Sequence, residues 1–252
     1  MRAGRMKLLL VALLALVLWE GVVRAGLISQ IILAAPSHMV AAAATDGLTF
    51  LRAFGLTLVE IAVAILFAWT LGIAMGLVTG SSYRLAAATA PVLSSLFAIP
   101  VIIIYPLLMA WLGIGPFSKI VFGALSGFFP VALNTIDGVR AVEPRYLLFA
   151  RSIGATPLQT YGRIVFPLAL PSIVSGLRVG TGLTIIGVIV TEMLASLGGV
   201  GYLISYHRTL FNTGHVYFGI VLALVLAVAV NVGLTAVEQR VGRWQLRQQA
   251  EG

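Results

Sequence analysis

Apolar residues fall in long, nearly unbroken blocks, and the polar and charged residues are confined to short stretches between them. The blocks predict six helices of bilayer-crossing length at about residues 7–25, 54–80, 85–112, 117–136, 168–195 and 216–237, since a span needs roughly 20 apolar residues. The second and third blocks are separated by the tight turn Ser81 to Arg84, and the third and fourth by Leu112 to Pro116. Ser29 to Thr49, with Pro36, Ser37, His38 and Asp46, reads as a loop outside the membrane. The long segment 139–167 is basic and lacks a spanning run. The fold class expected is all-α, a polytopic membrane protein with a single transmembrane domain over 1–252.

Lys and Arg support this layout. Arg2, Arg5, Lys7, Arg84, Arg140, Arg145, Arg151, Arg163, Arg240, Arg243 and Arg247 fall on one side, and only Arg24, Arg52, Lys119 and Arg208 on the other. Short cytoplasmic loops carry the excess of cations, so both termini and the 139–167 loop are expected in the cytoplasm. The N-terminus has the basic-then-apolar order of a signal peptide. With no A-x-A site following, and with Trp19 and Glu20 extending the run, it is read as a retained first span.

Composition narrows the classes. The chain is 60% hydrophobic with a mean hydropathy of +1.06, against about 45–50% apolar residues in soluble domains. The net charge of +8 is accounted for by loop topology, and no aromatic residues interleave with a basic stripe as nucleic-acid recognition favours. There is no cysteine, which removes thiolate chemistry and disulfides. His38, His207 and His215 lack the spacing of a metal site. No GxxxxGK[ST] loop occurs, so nucleotide hydrolysis is not expected of this chain.

Within the third block, Pro91, Pro100 and Pro106 each remove a backbone donor and are expected to bend the span. Gly72, Gly76, Gly176, Gly180, Gly182 and Gly187 allow close helix approach. In the 139–167 loop, Pro144 suits the first position of a short helix and Gly154 its stop. Thr156 suits the N-cap of a second helix, with Pro157 at its first position, running to Phe166 before Pro167 and Pro171 break the chain. On a helical wheel Tyr146, Phe149, Ala150 and Ile153 share one face, and Leu147, Leu148 and Arg151 the opposite one. Two apolar faces call for two partners: the chain's own bundle on one side, and on the other a second protein or the membrane surface.

Ala150, Gly154, Ile164 and Pro167 stand at the spacing of the E-A-A-x3-G-x9-I-x-L-P signature of ABC-importer permeases, with Leu148 and Phe149 in place of Glu and Ala and Phe166 in place of Leu. The segments Ile99 to Lys119, Pro130 to Arg140, Leu168 to Arg178, Val190 to Ile204, and Glu238 to Trp244 also resemble the nitrate, sulfonate, taurine and bicarbonate branch of that family. The resemblance implies a type I importer permease fold whose 139–167 loop is a cytoplasmic coupling helix. It implies that Leu147, Leu148, Ala150, Arg151, Gly154, Ile164 and Pro167 contact an ATP-binding subunit. It also implies an extracytoplasmic solute-binding protein, with ATP used by the partner and no cofactor in this chain. One six-span unit with one such loop makes a homodimer in membrane lipid the simplest assembly. The branch carries small anions such as sulfonate, taurine or nitrate, and close relatives carry pyrimidine-type thiamine precursors.

Glu60, Arg178 and Glu192 lie in or near apolar blocks, where an uncompensated charge costs several kcal/mol. Arg178 can snorkel or attract an anion, whereas Glu192 matches a carboxylate of the family's span-end segment, with a gate or pairing role. Polarity inside apolar helices makes Ser94, Ser95, Asn134, Thr181 and Thr184 the remaining pathway candidates. A membrane-embedded enzyme would need a Ser-His or carboxylate constellation at one depth. A secondary transporter would need inverted repeats and midplane acids. The sequence offers neither.

Overall fold

The structure, a computed structural model, describes the backbone of residues 2–250 and the side chains of Met6, Lys7 and Leu10 to Thr235. The segment Glu238 to Trp244 and the cations Arg2, Arg5, Arg240, Arg243 and Arg247 lie outside the described side chains. Every regular element is helical: α1 Arg2–Arg24, α2 Pro36–Gly80, α3 Tyr83–Ala98, a 3₁₀ turn Val101–Ile104, α4 Tyr105–Leu112, α5 Pro116–Arg140, α6 Pro144–Ser152, α7 Pro157–Thr160, a π turn Tyr161–Val165, α8 Phe166–Leu194, α9 Val200–Thr209 and α10 Thr213–Ala250.

Among the described residues, four stretches are long and apolar enough to span a bilayer: Pro36–Gly80, Pro116–Arg140, Pro157–Leu194 and Thr213–Thr235. Tyr83–Ala98 with Val101–Leu112 makes a fifth if that pair, bent by 80°, counts as one. The remaining expected span is α1, whose side chains are described without a gap only from Leu10 onward.

Three boundaries differ from the expectation. The polar stretch expected as a loop up to Thr49 is helical from Pro36, so α2 is 45 residues long. Pro36 is preorganised for a first helical position, Ala41 to Ala44 are the strongest helix formers, and Glu20 accepts from the Ser37 N–H at 3.0 Å, serving an orphan donor of the first turn. The third block does not bend evenly at its three prolines. It breaks at Pro100, while Pro91 stays inside α3 and Pro106 sits in the first turn of α4. Pro167 and Pro171 do not break the chain either; both lie within α8, directly after the π turn. The widened turn, closed by Phe166 N–H on the Tyr161 carbonyl, relieves the region where a proline ring would meet the carbonyl four residues back.

The chain divides into two compact units, Met1–Leu58 with Glu192–Leu226, and Val59–Thr191 with Ala227–Gly252. The second unit is built around α5, whose buried residues lie on several sides of the helix. Gly72, Gly76 and Gly80 of α2 recur every four residues and face Val131, Thr135 and Val139 of α5, so closely that an added Cβ at Gly72 would lie 2.7 Å from the Val131 Cβ. On α8, Gly180 lies against the Gly127 carbonyl of α5, where a Cβ would come within 2.7 Å, and Gly176 lies against Asn134. Gly182 has open space around it. An apolar cluster of Ala86, Leu93, Phe129, Ala132 and Ile136 joins α3 to α5. Trp69 Nε1–H donates to Thr181 Oγ1 at 3.1 Å, joining α2 to α8.

One ion pair lies inside this unit. Lys119 Nζ is 2.6 Å from Glu60 Oε1, with side-chain exposures of 3% and 1%. Lys119 stands in the first turn of α5, where the helix dipole disfavours a cation, and Glu60 of α2 supplies the opposing charge. Lys119, expected in an outer loop, is therefore a core residue.

In the first unit, Phe50 of α2 is buried among His207 of α9 and His215 and Phe218 of α10. Trp19 of α1 meets Tyr217 edge-on.

Gly76→Val should lower stability by about 1–3 kcal/mol, because overpacking here meets the backbone carbonyl of Ala132 as well as Thr135. Gly182→Ala should leave the melting temperature in detergent essentially unchanged. For the ion pair, Lys119→Met should cost about 3–5 kcal/mol by stranding a buried carboxylate, and adding Glu60→Gln should recover part of that loss in the same melting assay.

Candidate functional site

The 139–167 segment is built from local signals. After α5, the chain enters α6 through Glu143 and Pro144. At the end of α6, Gly154 takes φ +71°. Its N–H donates to the Arg151 carbonyl at 3.0 Å and that of Ala155 to the Ala150 carbonyl at 3.0 Å. This is the Schellman closure, with glycine at the left-handed position. Thr156 then caps α7: its Oγ1 accepts from the Gln159 N–H at 3.3 Å, and Gln159 Oε1 accepts from the Thr156 N–H at 2.9 Å.

The two faces of α6 are divided differently from the wheel reading. Leu147 turns inward with Ala150, packing on the cluster of Val139, Val165, Ala169 and Ile173. Tyr146, Phe149 and Ile153, expected on the same face as Ala150, are exposed together with Leu148. The reason is tertiary. Val142 and Leu147 both pack on that cluster, and Leu147 and Ala150, three residues apart, form the inward stripe. The outward face therefore carries Leu148 at 63% and Phe149 at 60% exposure, with Ile153 beside them and Leu158 of α7 also exposed. Its rim is charged: Arg145 lies over the Tyr146 ring at 5.1 Å and pairs with Glu143 at 2.7 Å, and Arg151 is exposed. Ile164 is half-buried in the π turn and Pro167 half-buried in α8. Leu158 carried no sequence signal, since one exposed apolar residue in a four-residue helix has no periodicity.

The pathway candidates are dispersed. Ser94 and Ser95 are exposed on α3. Asn134 donates to the Pro130 carbonyl of its own helix at 2.8 Å. Thr181 and Thr184 are buried in helix packing, Thr181 accepting from Trp69 and Thr184 pressed against Gly127 with its Oγ1 unpartnered among the described residues. Arg178 reaches Thr235 Oγ1 of α10 at 3.4 Å. A concave surface of about 240 Å³ does exist in this unit, beside the break at Pro100, lined by Phe97, Ile102, Phe122, Ser126, Ile186 and Gly187 among others. Sequence reading missed it, because its lining is apolar and looks like any other span surface.

Glu192 lies in the last turn of α8. It is 1% exposed and belongs to the first unit, where Oε1 accepts from Thr57 Oγ1 at 2.7 Å and Oε2 from the Gly201 N–H at 2.8 Å. Thr57 Oγ1 in turn accepts from the Val200 N–H at 2.9 Å. The carboxylate thus serves the first turn of α9, where a helix favours negative charge, and ties α2, α8 and α9 together. Gly199, at φ +103°, leaves the space that the carboxylate fills.

The same unit holds a titratable cluster. His215 Nε2 is 2.8 Å from Asp46 Oδ2, and its ring stacks on that of His207 with 4.4 Å between centroids. Burial pushes His207 below the usual histidine range; the neighbouring His215 adds to this and Asp46 opposes it. Beside it opens a cleft of about 430 Å³ that His38, Thr45, Phe211, Asn212 and His215 help to line.

Residues 68–243 match the family described as the binding-protein-dependent transport system inner membrane component. The chain is 30% identical to the putative aliphatic sulfonates transport permease of Bacillus subtilis (strain 168), over 97% of this chain and 89% of that one. It is also 30% identical to the taurine transport system permease of Escherichia coli (strain K12), over 75% and 68%, and to the formylaminopyrimidine transport permease of Halalkalibacterium halodurans, over 76% and 77%. Its fold superimposes on a chain of the MetNI methionine ABC transporter with a TM-score of 0.65 at 18% identity, covering 78% of this chain and 97% of the other. The sequence and the helical architecture agree: this chain belongs to the inner-membrane permease family of binding-protein-dependent ABC importers.

Proposed function

We propose that the outward face of α6, formed by Tyr146, Leu148, Phe149 and Ile153 and continued by Leu158, is where this permease receives the ATP-binding subunit. The observation that carries the reading is the exposure of four large apolar side chains on one short helix whose opposite stripe is anchored in the chain's own core. An apolar patch with a charged rim marks a protein interface. The Gly154 closure and the Thr156 cap hold α6 and α7 rigidly, and the helical run from Pro157 to Leu194 carries a displacement of that surface directly into a spanning helix. Leu148, at the position where the family signature has a carboxylate, makes this docking more apolar.

In this reading the side bearing Arg84, Arg140, Arg145, Arg151 and Arg163, with both termini, is cytoplasmic. Two copies form the pathway, ATP is bound and hydrolysed by the partner subunit, and an extracytoplasmic binding protein delivers the solute. The substrate class is a small anion of the sulfonate, taurine or nitrate kind, as in the names of the relatives. The apolar lining of the 240 Å³ surface beside Pro100 favours a solute with an organic part over nitrate. A pyrimidine-type solute is the second reading, on that same lining and on the formylaminopyrimidine relative.

Phe149→Asp with Ile153→Asp should cut ATP-driven uptake in proteoliposomes by roughly 30-fold, the equivalent of about 2 kcal/mol at an interface hot spot, with normal membrane abundance. Uptake at the unmutated rate would overturn the docking assignment. The cognate binding protein should gain thermal stability with a sulfonate and not with nitrate. A shift with a pyrimidine alone would remove the anion reading.

A further inference from the structure

The Schellman closure ends α1 at Gly26, α6 at Gly154 and α9 at Phe211, with glycine at the left-handed position in the first two. At the end of α9 the Phe211 N–H donates to the Arg208 carbonyl at 3.1 Å and the Asn212 N–H to the His207 carbonyl at 2.9 Å. These are the bonds that close α6 at Gly154. In α6 the left-handed position is glycine; in α9 it is Phe211, at φ +54°, the one non-glycine residue with positive φ among those described. A bulky L-residue there is strained, and such strain persists where the surroundings or a function require the side chain. The surroundings do not require this one, because Phe211 is 75% exposed and its ring is not buried inside the chain.

The ring stands on a stiff platform. Thr213 Oγ1 donates to the Ile31 carbonyl at 3.3 Å and Tyr217 OH to the Ile32 carbonyl at 3.0 Å, tying the α1–α2 loop to the start of α10. Ile31, Ile32 and Leu210 are exposed beside Phe211, and the 430 Å³ cleft opens next to them. Arg208, three residues before Phe211, is exposed, whereas Asp46 is joined to His215 and Glu20 to Arg24.

We propose that Phe211 is the anchor of a docking surface for the extracytoplasmic binding protein, inserting into an apolar socket whose rim is acidic to match Arg208. The proposal rests on the reading adopted above, in which the α1–α2 and α9–α10 loops are extracytoplasmic, and on a family defined by its dependence on a binding protein. Large, rigid aromatic side chains at the centre of a patch carry most of an interface's energy, and strain in the free chain keeps the ring presented.

The test uses the permease with its ATP-binding subunit in nanodiscs, with ATPase rate titrated against the liganded binding protein. Phe211→Gly places at this position the residue that its backbone prefers, so the melting temperature should hold or rise. The binding-protein concentration for half-maximal stimulation should rise roughly ten-fold or more, and the maximal rate should return at saturation. An unchanged half-stimulating concentration overturns the proposal. So does a photo-crosslinker at residue 211 that reacts with lipid or a second permease copy and not with the binding protein. If the unmutated complex shows no stimulation at all, the importer reading itself has failed, and the two failures are thereby distinguished.

Discussion

The packing of the second unit depends on how closely α2 and α8 approach α5. Between helices in lipid there is no hydrophobic drive to associate, so association rests on van der Waals contact and hydrogen bonds. The Gly72, Gly76 and Gly80 stripe of α2, and Gly176 and Gly180 on α8, remove the side chains that would hold the backbones apart. From that contact follow the buried positions of Thr181 and Thr184, the Trp69 bond across to α8, and the apolar cluster that reaches α3.

Close packing in an apolar setting leaves little tolerance for polar groups without partners, and the chain meets this in two ways. Glu60 and Lys119 neutralise one another within the second unit. Glu192 accepts hydrogen bonds from Thr57 and Gly201 at the first turn of α9, using the partial charges that every helix start offers. In the first unit Glu20 likewise serves Ser37 at the start of α2, while also pairing with Arg24. In each case an acidic side chain from a distant part of the chain does what a local cap does elsewhere.

The α6–α7 segment and the α9–α10 turn show one backbone solution used for different ends. At Gly154 the left-handed residue lets α6 stop without strain, leaving its apolar face free for a partner. At Phe211 the same closure keeps a large ring on the surface. Both turns are rigid by hydrogen bonding and apolar by composition, the two properties a docking surface needs.

The sequence alone determined what depends on near neighbours. The long apolar runs set the helical membrane class, and the motif spacing set the family. Pro144, Gly154, Thr156 and Pro157 were legible as starts and stops because capping and left-handed closure involve residues within a turn of one another. Tertiary structure decided everything that depended on which distant residues meet. A helical wheel ranks faces but does not say which one the core takes, so Leu147 went inward and Phe149 outward. Proline content did not distinguish Pro100, where the chain bends by 80°, from Pro91 and Pro171, which the helices accommodate. The partners of Glu60 and Glu192 were hidden for the same reason: Thr57 and Glu192 stand 135 residues apart, and a contact across that distance leaves no periodic trace in the chain.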